Sequence, residues 1–432
     1  MIPLLQIIEY PQKKSWATLL ARPVINSENL VSSVRKILQD IKNTGDKAVL
    51  EYSALYDQIS GGNLIVKDQE FVAAERTLDE ELKIAIRHAE KNISKFHSNQ
   101  QLEEPVVNIA PGIHCWRKSV AIEKIGLYIP GGTAPLFSTL LMLGVPARLA
   151  GCKEIVVCTP PQKDGTIHPS ILYVAKLLGI FSVFRVGGAQ AIGAMAYGTK
   201  TIPKVYKIFG PGNQWVTQAK KLIQQEGISI DMPAGPSELA IYADDTAIPA
   251  FVAADLLSQC EHGTDSQVIL VTDSPLFAKN VNQELQNQIE KLPRKSLAEK
   301  SLANSKIILL ANQDDSTDLL NMYAPEHLIL ACHNAEFLTT KIRNAGSVFL
   351  GNYAPESAGD YATGTNHTLP THGFAKVYSG VSIDSFVKKI SFQKLSKEGL
   401  QSIGNTVMTM ARAEGLEGHA EAISIRLSHH EI

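Results

Sequence analysis

No apolar run in the 432-residue sequence approaches the ~20 residues needed to span a bilayer. The longest, such as "QVILVT" at 267–272 and "SVFLG" at 347–351, are strand-sized. A charge excess is also missing. The chain carries 41 Lys and Arg against 43 Asp and Glu, for a net charge of −2, with both signs spread along it. There is no basic stripe and no interleaving of basic with aromatic residues, which excludes nucleic acid as an expected partner. Cysteine is sparse: positions 115, 152, 158, 260 and 332 form an odd set with no C-x-x-C. Reduced thiols in a cytoplasmic compartment fit that set better than a disulfide framework. The N-terminus, "MIPLLQIIEYPQKKSW", lacks a basic leading region and a small-residue cleavage site, so it reads as mature structure. Neither G-x-G-x-x-G nor H-E-x-x-H occurs.

What remains is an ordinary globular composition, 44% hydrophobic and 19% charged, with ample length for a large core. Length suggests roughly two to three domains. Helical periodicity covers 27–55 and 78–98, and "NTG" stops the first of these helices. From "KIGLYIP" onward, short β-rich runs alternate with helical stretches as far as "SVFLGN". This alternation predicts an α/β fold with parallel-rich sheets in two domains. The expected division is an N-terminal segment at 1–25, a discontinuous first α/β domain at 26–128 and 236–381, a second at 129–235, and a helical C-terminal element at 382–432.

Three strands end in glycine clusters: "YIPGGTAP" (128–135), "RVGGAQAIG" (185–193) and "FGPGNQW" (209–215). Backbone N–H groups at such turns can bind phosphate, and strand carboxyl ends are where open α/β sheets place ligands. Tight βα turns also need glycine for conformation alone, so a single cluster decides nothing. In "GPGNQW", Trp215 stands where a fingerprint glycine would be.

Candidate chemistry gathers in four places. "SQCEHG" sets Gln259, Cys260, Glu261 and His262 side by side. By residue type, Cys260 or Glu261 is the better zinc ligand, whereas helical spacing puts Gln259 and His262 on one face, with Gly263 as the helix stop. A plain helix end with a solvated Glu and a half-buried His fits equally well. "YAPEHLIL" places Glu326 beside His327 before a strand, either an acid–base pair or a charged turn. The polar loop 347–371 carries Glu356, Asp360, Asn366 and His367, of which Asp360 is a hard oxygen ligand candidate. "MARAEGLEGHAEAISIRL" holds Glu414 and His419 between helical stretches.

Together, "GLYIPGGTAPLFST", "VGGAQAIGAMAYGT", "KIFGPGN", "DMPAGPSE", "DLLSQCEHGTDSQVIL", "YAPEHL", "GNYAPESAGDYATGTNHTLPT" and "EGLEGHAEAI" closely resemble the histidinol dehydrogenase family, from about residue 25 to the C-terminus. The resemblance implies Rossmann-like α/β domains without the usual glycine motif. It implies oxidation of L-histidinol to L-histidine, the last steps of histidine biosynthesis, in two hydride transfers to two NAD molecules through a bound aldehyde. It further implies one zinc per subunit, held by Gln259, His262, Asp360 and His419. Glu326 and His327 would be the catalytic pair. Substrate would meet Ser237, Glu414, His327 and the zinc ligands, and NAD would meet Tyr128, Gln190 and Asn213. The family is a homodimer whose C-terminal segment reaches the neighbouring active site, so Glu414 and His419 would serve the partner. The rivals are a zinc hydrolase with Glu326 as base, and a non-catalytic nucleotide- or amino-acid-binding protein.

Overall fold

The computed structural model describes residues 4–23, 28–57, 63–101, 104–131, 134–233 and 235–429. Gly132 and Thr133 of the first glycine cluster, Ala234 of "DMPAGPSE" and the expected boundary at 25–26 lie outside them.

Two parallel sheets, each covered by helices on both faces, carry the α/β architecture that the alternation predicts. One has five strands in the spatial order Val183–Arg185, Glu154–Thr159, Lys124–Tyr128, Lys207–Phe209, Ser229–Ile230. The other has six, in the order Gln6–Glu9, Lys306–Leu309, Gln267–Thr272, Glu238–Ala243, His327–Ala331, Ser347–Leu350. Leaving aside the edge strand Gln6–Glu9, both sheets wind identically. The first strand in the chain is central, the second and third extend to one side, and the fourth and fifth to the other. The order reverses between first and fourth, which opens a crevice there.

Strands sandwiched between helices must be apolar on both faces, and Glu238–Ala243 and Gln267–Thr272 are buried at every position. Alternate residues feed opposite cores. Ile125 and Leu127 face one layer of helices; Tyr128, Val156 and Ile208 face the other.

Sheet membership departs from the expected division in two places. Lys124–Tyr128, grouped by sequence with 236–381, is the centre of the five-stranded sheet. The helices Glu28–Thr44, Asp46–Tyr56 and Glu80–Ser98 cover that same sheet. Residues of the 1–25 segment add the edge strand Gln6–Glu9 to the six-stranded sheet, and Trp16 and Leu20 to its core. Periodicity locates elements but does not choose their partners. The "NTG" stop is real: Gly45 adopts φ +57 between the first two of those helices.

The tail is not purely helical. Val387–Leu395 pairs antiparallel with Ile113–Ala121, which also pairs with Val107–Ala110. Trp116 stacks on Phe392 across this ladder. Helices Lys397–Ala413 and Glu417–Ser428 follow, burying only Gly399, Gly404, Ala411 and Ala420. Among the described residues no helix is long and apolar enough to cross a membrane.

One buried ion pair pins the turn after Lys207–Phe209. Lys220 pairs with Asp231, their side chains 4% and 1% exposed, and donates to the Gly210 carbonyl at 2.9 Å. The Asp231 carboxylate accepts from the Gly210 N–H at 2.8 Å. Gly210 has φ +128, and a Cβ there would strike the Tyr128 carbonyl. Lys220→Met is expected to leave Asp231 buried and unpaired, costing ~3–5 kcal/mol in denaturant unfolding. A loss under about 1 kcal/mol would show that the pair does not hold the turn.

Candidate active site

Helix Pro249–Cys260 opens on proline and buries Val252, Ala253, Leu256, Leu257 and Cys260. Cys260 lies wholly inside that apolar core, where burial pushes its thiol up to about 12. It is therefore neither exposed nor inclined to ionise as a ligand should. Glu261 caps the helix, and Gly263 is not among the left-handed glycines, so the helix ends without the glycine cap expected. Gln259 lies buried in its last turn, and His262, two residues past its end, keeps solvent exposure while protein atoms crowd its ring.

Helix Gln313–Tyr323 ends at Ala324 in a left-handed turn, φ +52, which delivers Glu326 and His327 to the amino end of strand His327–Ala331. Both are buried. The Glu326 carboxylate accepts from the Glu238 N–H at 2.9 Å. His327 Nδ1 lies 3.7 Å from Glu326 and 3.6 Å from Glu356, and its Nε2 lies 3.5 Å from Asp360. Glu356 and Asp360 are four apart on helix Glu356–Tyr361, hence on one face. That short helix lies close against the preceding strand because Gly359 meets the Phe349 ring, where a Cβ would not fit.

Hydrogen bonding sets the sense of the Gln259 amide. Only with the nitrogen turned toward Glu356 are both neighbours satisfied: it then donates to both carboxylate oxygens, the longer contact at 3.2 Å, and the amide oxygen accepts from the Glu238 N–H at 2.9 Å. His367 Nδ1 meets the Asp360 carbonyl at 3.0 Å, and its Nε2 meets Thr139 Oγ1 at 3.3 Å. Thr139 belongs to helix Phe137–Ala150, which covers the five-stranded sheet.

The electrostatics are those of carboxylates crowded with little countercharge. Burial raises Glu326 to about 8 and also raises Glu356. Burial opposes charge on His327, but Glu356, Glu326 and Asp360 outweigh it and raise the ring to about 10. Burial works against the Asp360 carboxylate too, yet His327 holds it below its usual range. Burial lowers both His262 and His367.

A cation suits this cluster. His327 Nε2 and Asp360 Oδ1 are buried without a hydrogen-bond partner. Ligand atoms of His262, Glu356 and Asp360 lie within 4.8 Å of one another. Imidazole, carboxylate and an amide oxygen form a donor set that zinc accepts.

The structure gathers Gln259, His262, Glu326, His327 and Asp360 at the amino edge of the six-stranded sheet, with Ser237 just before its central strand. It does not bring Glu414 or His419 there. Both are exposed on the C-terminal helices, and among the described residues no hydrogen bond or ion pair joins their side chains to this cluster. Tyr128, Gln190 and Asn213 lie at the carboxyl edge of the five-stranded sheet, near the crevice between Lys124–Tyr128 and Lys207–Phe209. The Tyr128 hydroxyl accepts from the Gly188 N–H at 3.2 Å, and burial lifts it to about 12. Gln190 donates to Asp57 at 3.3 Å, and Asn213 caps helix Gln214–Gln225 through the N–H groups of Trp215 and Val216.

The family model for histidinol dehydrogenase matches residues 20–427. The chain belongs to the histidinol dehydrogenase family. It is an NAD-dependent oxidoreductase, and the hydrolase alternative is not favoured. A histidinol dehydrogenase of Bacteroides thetaiotaomicron is 54% identical over 425 residues, 98% of this chain and 99% of that protein. One from Vibrio parahaemolyticus is 48% identical over 95% of each. The crystal structure of histidinol dehydrogenase from Elizabethkingia anophelis superposes with a TM-score of 0.97 at 52% identity, covering 99% of both chains.

Sequence reasoning did not single out Glu238, Arg22 or the place of Glu356. The four-residue spacing of Glu356 and Asp360 was the one available signal. With Cys260 in the core, Cys260→Ser is expected to leave zinc content unchanged. Gln259→Ala is expected to weaken zinc binding by ~10–100-fold or more. Metal analysis of the purified proteins after chelator dialysis checks both.

Proposed function

We propose that this chain oxidises L-histidinol through bound L-histidinaldehyde to L-histidine, reducing two NAD molecules in turn, in the cytoplasm, with one zinc ion per subunit. The observation that carries this reading is the cluster in which ligand atoms of His262, Glu356 and Asp360 lie within 4.8 Å of one another, with His327 Nε2 3.5 Å from Asp360. Gln259, His262, Asp360 and His419 of the partner subunit would hold the metal. A zinc ion held there would supply orientation of the substrate, an effect worth up to ~7–11 kcal/mol.

The chain's own groups move the protons. His327 removes the hydroxyl proton as the C–H hydride leaves for the first NAD, giving the aldehyde. Glu326, raised by burial toward neutrality, takes a proton from water whose oxygen adds to the aldehyde carbon. The protonated His327 returns its proton to the former carbonyl oxygen as water adds, which completes the hydrate and leaves the ring neutral. It then takes a hydroxyl proton of the hydrate as the hydride leaves for the second NAD, giving the acid. His327 is needed neutral, and its present charge rests on the carboxylates around it. With their charge matched by a cation, nothing holds the ring protonated. Tyr128, Gln190 and Asn213 would receive the dinucleotide, and Ser237 with Glu414 of the partner subunit would contact substrate.

A homodimer with shared sites is supported by the C-terminal helices. They expose Met410, Leu416 and Ile425, and among the described residues no hydrogen bond or ion pair engages the His419 side chain.

Glu326→Gln is expected to spare alcohol oxidation and slow aldehyde oxidation by ~10²–10⁴-fold, in assays started from histidinol and from histidinaldehyde. Equal losses in both would contradict the assignment. Two NADH per histidinol are expected from the parent. Mixing His262→Asn and His419→Asn dimers under exchange conditions should restore activity through hybrids with one intact site. Confirmed exchange without recovery would place each site within one chain.

A further inference from the structure

We propose that Glu356 is a positioning residue: it fixes the sense of the Gln259 amide so that the oxygen, not the nitrogen, is the end available to the metal. The proposal rests on the reading of Gln259 as a zinc ligand and goes beyond it.

A primary amide has two ends of nearly equal size, of which only the oxygen can ligate a cation. In a buried site, a neutral ligand free to turn over would present the wrong end part of the time. Gln259 is 1% exposed, so water does not decide its orientation. Two protein groups do. With the amide nitrogen turned toward Glu356, itself 1% exposed, both carboxylate oxygens accept from it and the Glu238 N–H donates to the amide oxygen, the one sense that satisfies both neighbours. The reversed amide would set oxygen against carboxylate and NH₂ against N–H, two repulsive pairs in place of two hydrogen bonds. One lone pair of the amide oxygen is taken by the Glu238 N–H, which leaves the second for an ion.

Glu356 does this from a fixed base. It begins helix Glu356–Tyr361, whose Asp360 faces the same cluster one turn later, so one rigid element carries both groups. The same carboxylate stands 3.6 Å from His327 Nδ1. A competing role is direct ligation, since a Glu356 oxygen lies within 4.8 Å of donor atoms of His262 and Asp360. Both oxygens already meet the Gln259 amide, which favours positioning.

The test is zinc affinity of the dimer, measured by chelator competition without substrate or NAD, for Q259A, E356A, E356Q and Q259A/E356A. Positioning predicts that E356A weakens binding ~10–100-fold, as loss of a partner behind a ligand does. E356Q keeps an acceptor oxygen for the amide and should hold affinity within ~10-fold of the parent, above that of E356A. The double variant should bind within about 2-fold of Q259A alone, because Glu356 acts through Gln259. Additive losses in the double variant, or E356Q as weak as E356A, would overturn the proposal in favour of direct ligation or simple charge. Where E356A does not fold, E356Q decides: affinity near the parent supports positioning, and affinity as low as Q259A refutes it. Normal zinc binding by Q259A would refute the ligand reading itself and the positioning role with it, an outcome distinct from the others.

Discussion

Glu238 is the residue through which the whole site is tied together. Its carboxylate forms a two-pronged ion pair with Arg22 and also accepts from the His372 N–H at 2.8 Å. Its N–H donates to Glu326 at 2.9 Å and, in the amide sense that satisfies Glu356, also to the Gln259 oxygen. Arg22 in turn donates to the Tyr323 carbonyl at 2.7 Å and lies over the Tyr323 ring. One buried backbone position thus fixes an acid–base residue, a ligand candidate, the N-terminal segment and the polar loop. Breaking one partner of such a network leaves an uncompensated buried charge, which is why it behaves as a unit.

The two sheets share one winding but use opposite edges. In the five-stranded sheet the glycine turns stand at the carboxyl edge, beside the crevice where strand order reverses, the usual ligand position. In the six-stranded sheet the corresponding crevice is closed. Asp244, just after the central strand, accepts from the His333 N–H at 3.0 Å and pairs with its ring at 2.6 Å. Gln259, His262, Glu326, His327 and Asp360 collect at the amino edge instead. His367 links the two halves, with one ring nitrogen on the Asp360 carbonyl and the other on Thr139.

Strand and helix positions were legible because buried parallel strands are short apolar runs and their covering helices keep a clear period. Val387–Leu395 was missed because "VKKISFQKL" carries three lysines on an exposed strand and has no buried face to mark it. The repeat in winding was invisible because topology leaves no trace in periodicity. Within the site, helical spacing put Gln259 and His262 on one face; the helix ends at Cys260, before His262, and burial sets Cys260 in the apolar core. Glu238 could not be found that way. Its importance comes from its backbone N–H, which every residue but proline has, and from Arg22, which lies 216 positions away.

Among the described residues the edge strand Gln6–Glu9 has its only sheet partner at Lys306–Leu309. On a ribosome adding ~5–20 residues per second, it waits roughly 15–60 s before that partner exists. The intervening five-stranded unit can form in the meantime, its central strand and all its neighbours lying between residues 124 and 230. Arg22 waits as well, first for Glu238 and then for Tyr323. Glu238, which holds Glu326, is therefore anchored by a residue made 216 positions earlier.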